Sequence, residues 1–249
     1  MVAPTPVSAL LHAVAVVKAG VFCVLKITVY VFGLDLLSEG SASSIIIWVA
    51  TATMLLASLV ALSQDNLKAR LAYSTVSQLS YIVVGAALAT ASSVTGASMH
   101  MATHAVGKIT LFFCAGAIYT AAKKTKVSEL DGLAKVMPIT FIAYTVAALS
   151  IIGLPPMAGS WSKWFLLDGA LQAEYFWVAI AFIISTLLNM AYLLPVVARG
   201  FFAPAKDNLS GIQEAPWMCL LPLSVTAISC FVLFFLLQEL HHFLQPLFS

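Results

Sequence analysis

Met99 to Phe113 reads M-H-M-A-T-H-A-V-G-K-I-T-L-F-F. The stretch lies inside a long apolar run, and its ionisable residues, His100, His104 and Lys108, recur every four positions. On a helix such residues stack along one face, here over roughly 12 Å. Ionisable groups at hydrocarbon depth cost several kcal/mol apiece unless they face protein or water, which makes them candidates for function. The run predicts a membrane helix with a one-sided His-His-Lys ladder turned into a bundle. Each rung can hold or release a proton, so the ladder can pass protons.

The rest of the chain agrees with that setting. Its 249 residues are 61% hydrophobic and 9% charged, with a mean hydropathy of +1.01. These values exclude a soluble globular domain and fit a polytopic membrane protein. A net charge of +2 gives no reason to expect nucleic acid. Cys23, Cys114, Cys219 and Cys230 lack C-x-x-C spacing and sit in apolar surroundings, as buried small hydrophobes do. No cleavable signal pattern is present, since Met1 leads into P-T-P and a long span.

Runs of about 20 apolar residues predict seven spans, over 6–32, 43–62, 70–90, 97–121, 137–167, 175–199 and 217–238. The fold class is therefore all-α, a single transmembrane domain over 1–249. The fifth span is interrupted by G-L-P-P-M-A-G-S (Gly153 to Ser160), whose two prolines remove donors and clash with the preceding turn. Backbone broken at that depth must be covered by protein or line a cavity. In transporters such breaks mark ion and substrate sites.

With the first span entering from the cytoplasmic side, the cytoplasmic loops hold Lys68, Arg70, Lys123, Lys124, Lys126, Lys135, Arg199 and Lys206. The opposite loops hold Asp35, Glu39, Asp168 and Glu174 and no basic residue, a positive-inside pattern. Lys18, Lys26, Lys108 and Lys163 fall within spans, and no acidic residue clearly does.

Lys18 lies too near mid-span to snorkel easily. His12, six residues earlier, is about 600° away around the helix and so on another face. It fits either a relay or a hydrogen-bonded core histidine. Lys26 lies nearer the outer end, where snorkelling or pairing with Asp35 or Glu39 competes with a relay role. The i,i+4 histidines also have metal-ligand spacing, but Lys108 would place an ammonium beside the ion and no carboxylate or cysteine completes a set. Histidines satisfied within a bundle are the plainer alternative. Lys163 follows the proline break, beside free carbonyls, or alternatively anchors at an interface between Trp161 and Trp164. Ser74, Ser77 and Gln78 belong to a polar run that glues helices or orients water beside a lysine. No nucleophile–base pair, phosphate loop, metal site or cofactor motif is found, which argues against self-contained catalysis.

Five stretches resemble a known family: A-P-T-P-V-S-A-L-L-H-A (3–13), V-K-A-G-V-F (17–22), D-N-L-K-A-R-L-A-Y-S-T-V-S-Q-L-S-Y (65–81), H-M-A-T-H-A-V-G-K-I-T-L-F (100–112) and G-L-P-P-M-A-G-S-W-S-K (153–163). In order and wording they are similar to the antiporter-like subunits of Mrp-type cation/proton antiporters, respiratory complex I and membrane-bound hydrogenases. The resemblance implies the second half of a fourteen-helix subunit. It assigns a bridging helix to 6–32, a five-helix repeat with one broken helix to 43–199, and a terminal helix to 217–238. By motif, Lys18 matches the lysine between half-channels, with His12 preceding it. His100, His104 and Lys108 match the central helix, and Lys163 the broken-helix lysine.

The implied function is proton, or monovalent cation (Na+/K+) and proton, translocation within a multisubunit complex of a bacterial-type plasma membrane. No cofactor is implied in this chain, and its partners would be other membrane subunits. V-K-A-G and the short end after the last helix look most like the D-type Mrp subunit. The alternatives are a subunit driven by redox chemistry elsewhere and a non-conducting structural half. The family's motif normally runs into M-V-A-P-T-P from upstream. Met1 thus reads as an internal methionine, with the N-terminal half a missing partner in a fragment, truncated frame or split subunit.

Overall fold

In a computed structural model, the structure describes residues 7, 9–39, 41–205, 209 and 211–248, excluding the side chains of 12, 13, 38, 39, 41, 42 and 245–248. Nine α-helices are present among them: α1 (Val16–Ile27), α2 (Leu34–Glu39), α3 (Ser41–Ser63), α4 (Leu67–Ala87), α5 (Ala91–Ala122), α6 (Pro138–Ile152), α7 (Gly159–Gln172), α8 (Phe176–Phe202) and α9 (Trp217–Phe248). No strand is present among the described residues, and the chain is an all-α membrane bundle. Stretches 43–63, 91–122, 176–202 and 217–244 are long and apolar enough to span a bilayer by themselves. The other expected spans fall short for visible reasons. The first is cut by π-helical turns at Leu10–Val14 and Thr28–Phe32, the third carries a polar middle, and the fifth is the broken pair α6 and α7. The final helix runs to Phe248, ten residues past the expected end at 238, and carries Pro246 in its last turn.

Helix starts follow local chemistry. The Asn66 side chain accepts from Ala69 N–H at 3.1 Å and caps α4. Thr90 and Ser93 form a reciprocal capping box at the start of α5. Pro138 opens α6, where its missing N–H leaves no helical bond unmade. Gly153, at φ +89°, closes α6 in a left-handed conformation natural to glycine. The Pro155–Pro156 peptide is cis. The chain then re-enters helix at Gly159, where an added Cβ would lie 1.9 Å from the Ser150 carbonyl oxygen. The Ala158 N–H donates to Cys230 O of α9 at 3.1 Å.

Two apolar cores lie one above the other. One gathers Leu71, Phe112, Phe141, Tyr144 and Leu193, and the other Met54, Tyr81, Val94, Leu166 and Phe182. Between them four helices contribute buried polar residues: Ser58 on α3, Ser74, Thr75, Ser77 and Gln78 on α4, His100, Thr103, His104 and Lys108 on α5, and Ser185 and Asn189 on α8. A polar slab thus lies near mid-height, while Trp48, Leu56, Ile180, Leu187, Val225 and Ile228 face outward, as lipid requires.

The basic loops converge at one end. Asn66 bridges Lys126, Gly132 N–H donates to Arg199 O at 3.0 Å, and Arg199 pairs with Asp131 at 3.2 Å. Asp168 lies at the other end, bound to Ser92 and Gln172. In the basic clasp, Asp65 accepts from the Ser128 hydroxyl at 2.7 Å and its N–H at 3.0 Å. The hydroxyl bond is the main force holding the carboxyl below its ordinary value. Because the folded value is depressed, the contact contributes fully above the ordinary carboxylate range and is lost as pH falls through the folded value. Hydrogen exchange of the 125–130 loop, corrected for intrinsic rates, should match at pH 7 and 5 and rise only below about pH 4. Ser128→Ala should raise exchange already at pH 7; unchanged exchange there would remove the clasp role.

Candidate functional site

The polar slab holds three buried or half-buried lysines. Lys18, 7% exposed on α1, places Nζ 2.7 Å from His104 Nδ1 on α5. His104 stacks on His100 (centroids 5.7 Å apart), and His100 on Tyr81 of α4 (5.5 Å). His100 Nδ1 lies 3.0 Å from Ser162 Oγ, beside Lys163 on α7. Lys163 donates to Ile152 O, a free carbonyl at the end of α6, at 3.0 Å and to Thr186 Oγ1 of α8 at 3.3 Å. Its Nζ lies 5.2 Å over the Tyr81 ring. Helix termini leave carbonyls without intrahelical donors, so the break itself supplies the acceptor. A cleft of about 320 Å³ opens beside Lys163, lined by Tyr81, Gly153, Pro155, Ser160 and Thr186 among others.

Lys108, fully buried, turns toward the basic end. Its Nζ donates to Ser74 Oγ at 2.6 Å and to Leu71 O at 3.2 Å. The spacing that puts Lys108 on the face of His104 does not bring their polar atoms together, because the long side chain reaches to α4 instead.

The structure thus gathers Lys18, His100, His104, Lys108 and Lys163 in one slab. Lys26 is exposed two turns beyond Lys18 and does not join them. The side chain of His12 lies outside the described residues. Ser74 contacts Lys108, whereas Ser77 bonds Ser58 at 2.7 Å, with Ser185 3.4 Å from Ser58, and joins three helices. Gln78 is buried in the slab. Trp161 and Trp164 do not sandwich Lys163, whose ammonium goes to α6 and α8.

Several polar residues escaped the sequence reading. Ser162 meets His100, and Tyr192 Oη lies 2.7 Å from Ser74 Oγ and donates to Asn189 Oδ1. A signal existed, since Ser185, Asn189 and Tyr192 recur at helical spacing in an otherwise apolar span. Arg70 bonds Gln64 O at 2.8 Å and Tyr192 O at 3.0 Å, closing the basic side of the slab.

Among the described residues, no three His, Cys, Asp or Glu side chains converge on a metal-sized site. The hydrogen-bond partners of the slab lysines are hydroxyls, carbonyls and an imidazole, all able to be neutral. With no carboxylate bonded to these lysines among the described residues, two ammonium groups in the slab repel, so loading one disfavours loading the next.

Apolar helices around a chargeable interior define a polytopic membrane protein with lysine-based charge sites. Residues 1–189 match the family NADH:quinone oxidoreductase/Mrp antiporter, TM, and the chain belongs to it. NADH-quinone oxidoreductase subunit N of Desulforudis audaxviator is 41% identical over 155 residues, covering 62% of this chain and 31% of that protein. F(420)H(2) dehydrogenase subunit L of Methanosarcina mazei is 33% identical over 241 residues, covering 92% and 35%. A chain in the Mrp complex from Dietzia matches in fold, with a TM-score of 0.87 at 22% identity, over 98% of this chain and 53% of that one. The chain spans about a third of the length of these sequence relatives.

Proposed function

We propose that this chain conducts protons across the membrane as one subunit of a multisubunit complex, with Lys18, His100, His104, Lys108 and Lys163 as the relay. The observation that carries this reading is the 2.7 Å contact between Lys18 and His104. It joins α1 to the ladder on α5 and gives a proton a place on either atom. Lys163, beside the cleft, is the end from which a proton leaves the slab. The basic end faces the cytoplasm by the positive-inside pattern, and the first span enters from that side of a bacterial-type plasma membrane.

On this reading the chain is a transporter subunit, and the driving reaction belongs to other subunits of the complex. The expected Mrp D-type role and a redox-driven role place the same residues in the same positions. The names of the two sequence relatives favour the redox-driven assignment, while the fold is shared by chains of the Mrp complex and of respiratory complex I alike. A requirement for an electron donor, rather than a Na+ or K+ gradient, separates them.

The relay is tested by measuring proton flux in membrane vesicles bearing the assembled complex. Lys108→Ala and Lys163→Ala should each reduce flux by about a hundredfold, the scale of losing one positioned proton-transfer group. Native flux in either assembled variant removes that lysine from the path, and native flux in both leaves the chain a structural subunit.

A further inference from the structure

The relay leaves a gap. Lys108 and His104 stand one helical turn apart, yet Lys108 bonds Leu71 and Ser74 while His104 bonds Lys18. We propose that Tyr192 and Asn189, with Ser74 and a water held by Gln78, form a conduit that joins Lys108 to His104. This rests on the relay reading above and extends it to residues on α8 and α4.

The first half of the conduit is continuous. Lys108 donates to Ser74 Oγ at 2.6 Å, Ser74 Oγ lies 2.7 Å from Tyr192 Oη, and the Tyr192 hydroxyl donates to Asn189 Oδ1. With Asn189 holding the phenol proton, a Tyr192 lone pair is free to accept from Ser74. Every link can then point away from Lys108.

The second half follows from register. Ser74 of α4 is level with Lys108 of α5 and Tyr192 of α8. Two turns along, Tyr81 is level with His100, centroids 5.5 Å apart, and with Phe182, centroids 5.0 Å apart. Between these rungs lie Gln78 on α4, His104 on α5 and Asn189 on α8. All three are at most 1% exposed. At this level both Gln78 amide atoms, His104 Nε2 and Asn189 Nδ2 make no geometrically sound hydrogen bond among the described residues, the Asn189 side chain lying near the Tyr81 hydroxyl. An unpaired buried polar atom forfeits its bonds to water without replacement, so such atoms are nearly always satisfied. Unpaired donors and acceptors at one level on neighbouring helices are the setting that binds internal water.

The transfer balances. Lys108 gives a proton to Ser74, Ser74 gives its own to Tyr192, and Tyr192 turns from Asn189 and gives its own to the water at Gln78. With Lys18 neutral and accepting from His104 Nδ1–H, Nε2 carries the ring's lone pair, and that water passes a proton to it. Lys108 ends neutral and His104 ends as imidazolium, its Nδ1–H still bonded to the neutral Lys18 amine. Before the next passage the hydroxyls rotate back, and Asn189 Oδ1 recaptures the Tyr192 proton. Asn189 is thus a positioning residue that fixes the direction of the string.

The test uses the assembled complex in vesicles. Tyr192→Phe keeps the ring and removes only the hydroxyl; it should lower flux by about tenfold at native complex yield. Gln78→Met should abolish the infrared O–H bands of strongly bound water that shift in H2 18O, a readout that loss of packing alone would not move. Should Tyr192→Phe not assemble, Ser74→Ala should lower flux and Ser74→Thr, which restores the hydroxyl, should recover most of it. Native flux in assembled Tyr192→Phe, equal flux in the two Ser74 variants, or unchanged water bands in Gln78→Met would overturn the conduit. Lys108→Ala tells the two readings apart. If it is inactive while Tyr192→Phe is native, the relay stands without the conduit; if it is native, the relay itself fails.

Discussion

Lys18→Met should cut proton flux through the assembled complex by about a hundredfold while leaving complex yield at or above the native level. Methionine has similar length and flexibility, so it fills the slot without leaving a cavity. It also removes an ammonium from a site with only neutral partners, which favours assembly because unpaired charge at that depth is costly. What disappears is the amine 2.7 Å from His104 Nδ1, the group that takes a proton on from the imidazolium. Flux and yield must be measured on the same vesicles, because the two are expected to move in opposite directions. Lys26→Met, on an exposed position two turns away, should leave flux unchanged. Equal flux in the two variants would mean that burial beside His104 confers nothing.

Gly159→Ala should have the second large effect, on assembly. The added methyl carbon would lie 1.9 Å from Ser150 O, a backbone atom inside α6 that cannot rotate aside. Overpacking a well-filled interior typically costs 1–3 kcal/mol, and a backbone neighbour puts this site near about 3. Relief requires α6 and α7 to part, which takes Ile152 O away from Lys163 Nζ. Complex yield and thermal unfolding should fall together, and surviving complex should show reduced flux. A variant that assembles with native stability would disprove the tight approach of the two half-helices.

The sequence is informative where period and chemistry coincide. His100, His104 and Lys108 announce a helix face, and the double proline announces a break, because both rest on local rules of helix geometry. What lies across the bundle is not local. The Lys18–His104 contact joins residues 86 apart, and spacing along either helix is silent about it. Periodicity places a Cβ on a face but leaves the direction of a long side chain open, so Lys108 reaches to α4 although its face includes His104. Asn189 and Tyr192 look like ordinary interhelical glue in sequence, and only their register against Ser74 and Gln78 sets them apart. Lys26 shows the converse, a lysine inside an apolar run that the fold leaves at the surface.

The amide of Ala158 finds its acceptor on Cys230 of α9 rather than within its own segment. The elbow between the two half-helices is thereby geared to the outermost rod of the bundle. Any neighbour that slides that rod along its axis must drag the elbow or forfeit the bond. Lys163 sits five residues past this fulcrum, so mechanical work done on the periphery has a short lever to the interior.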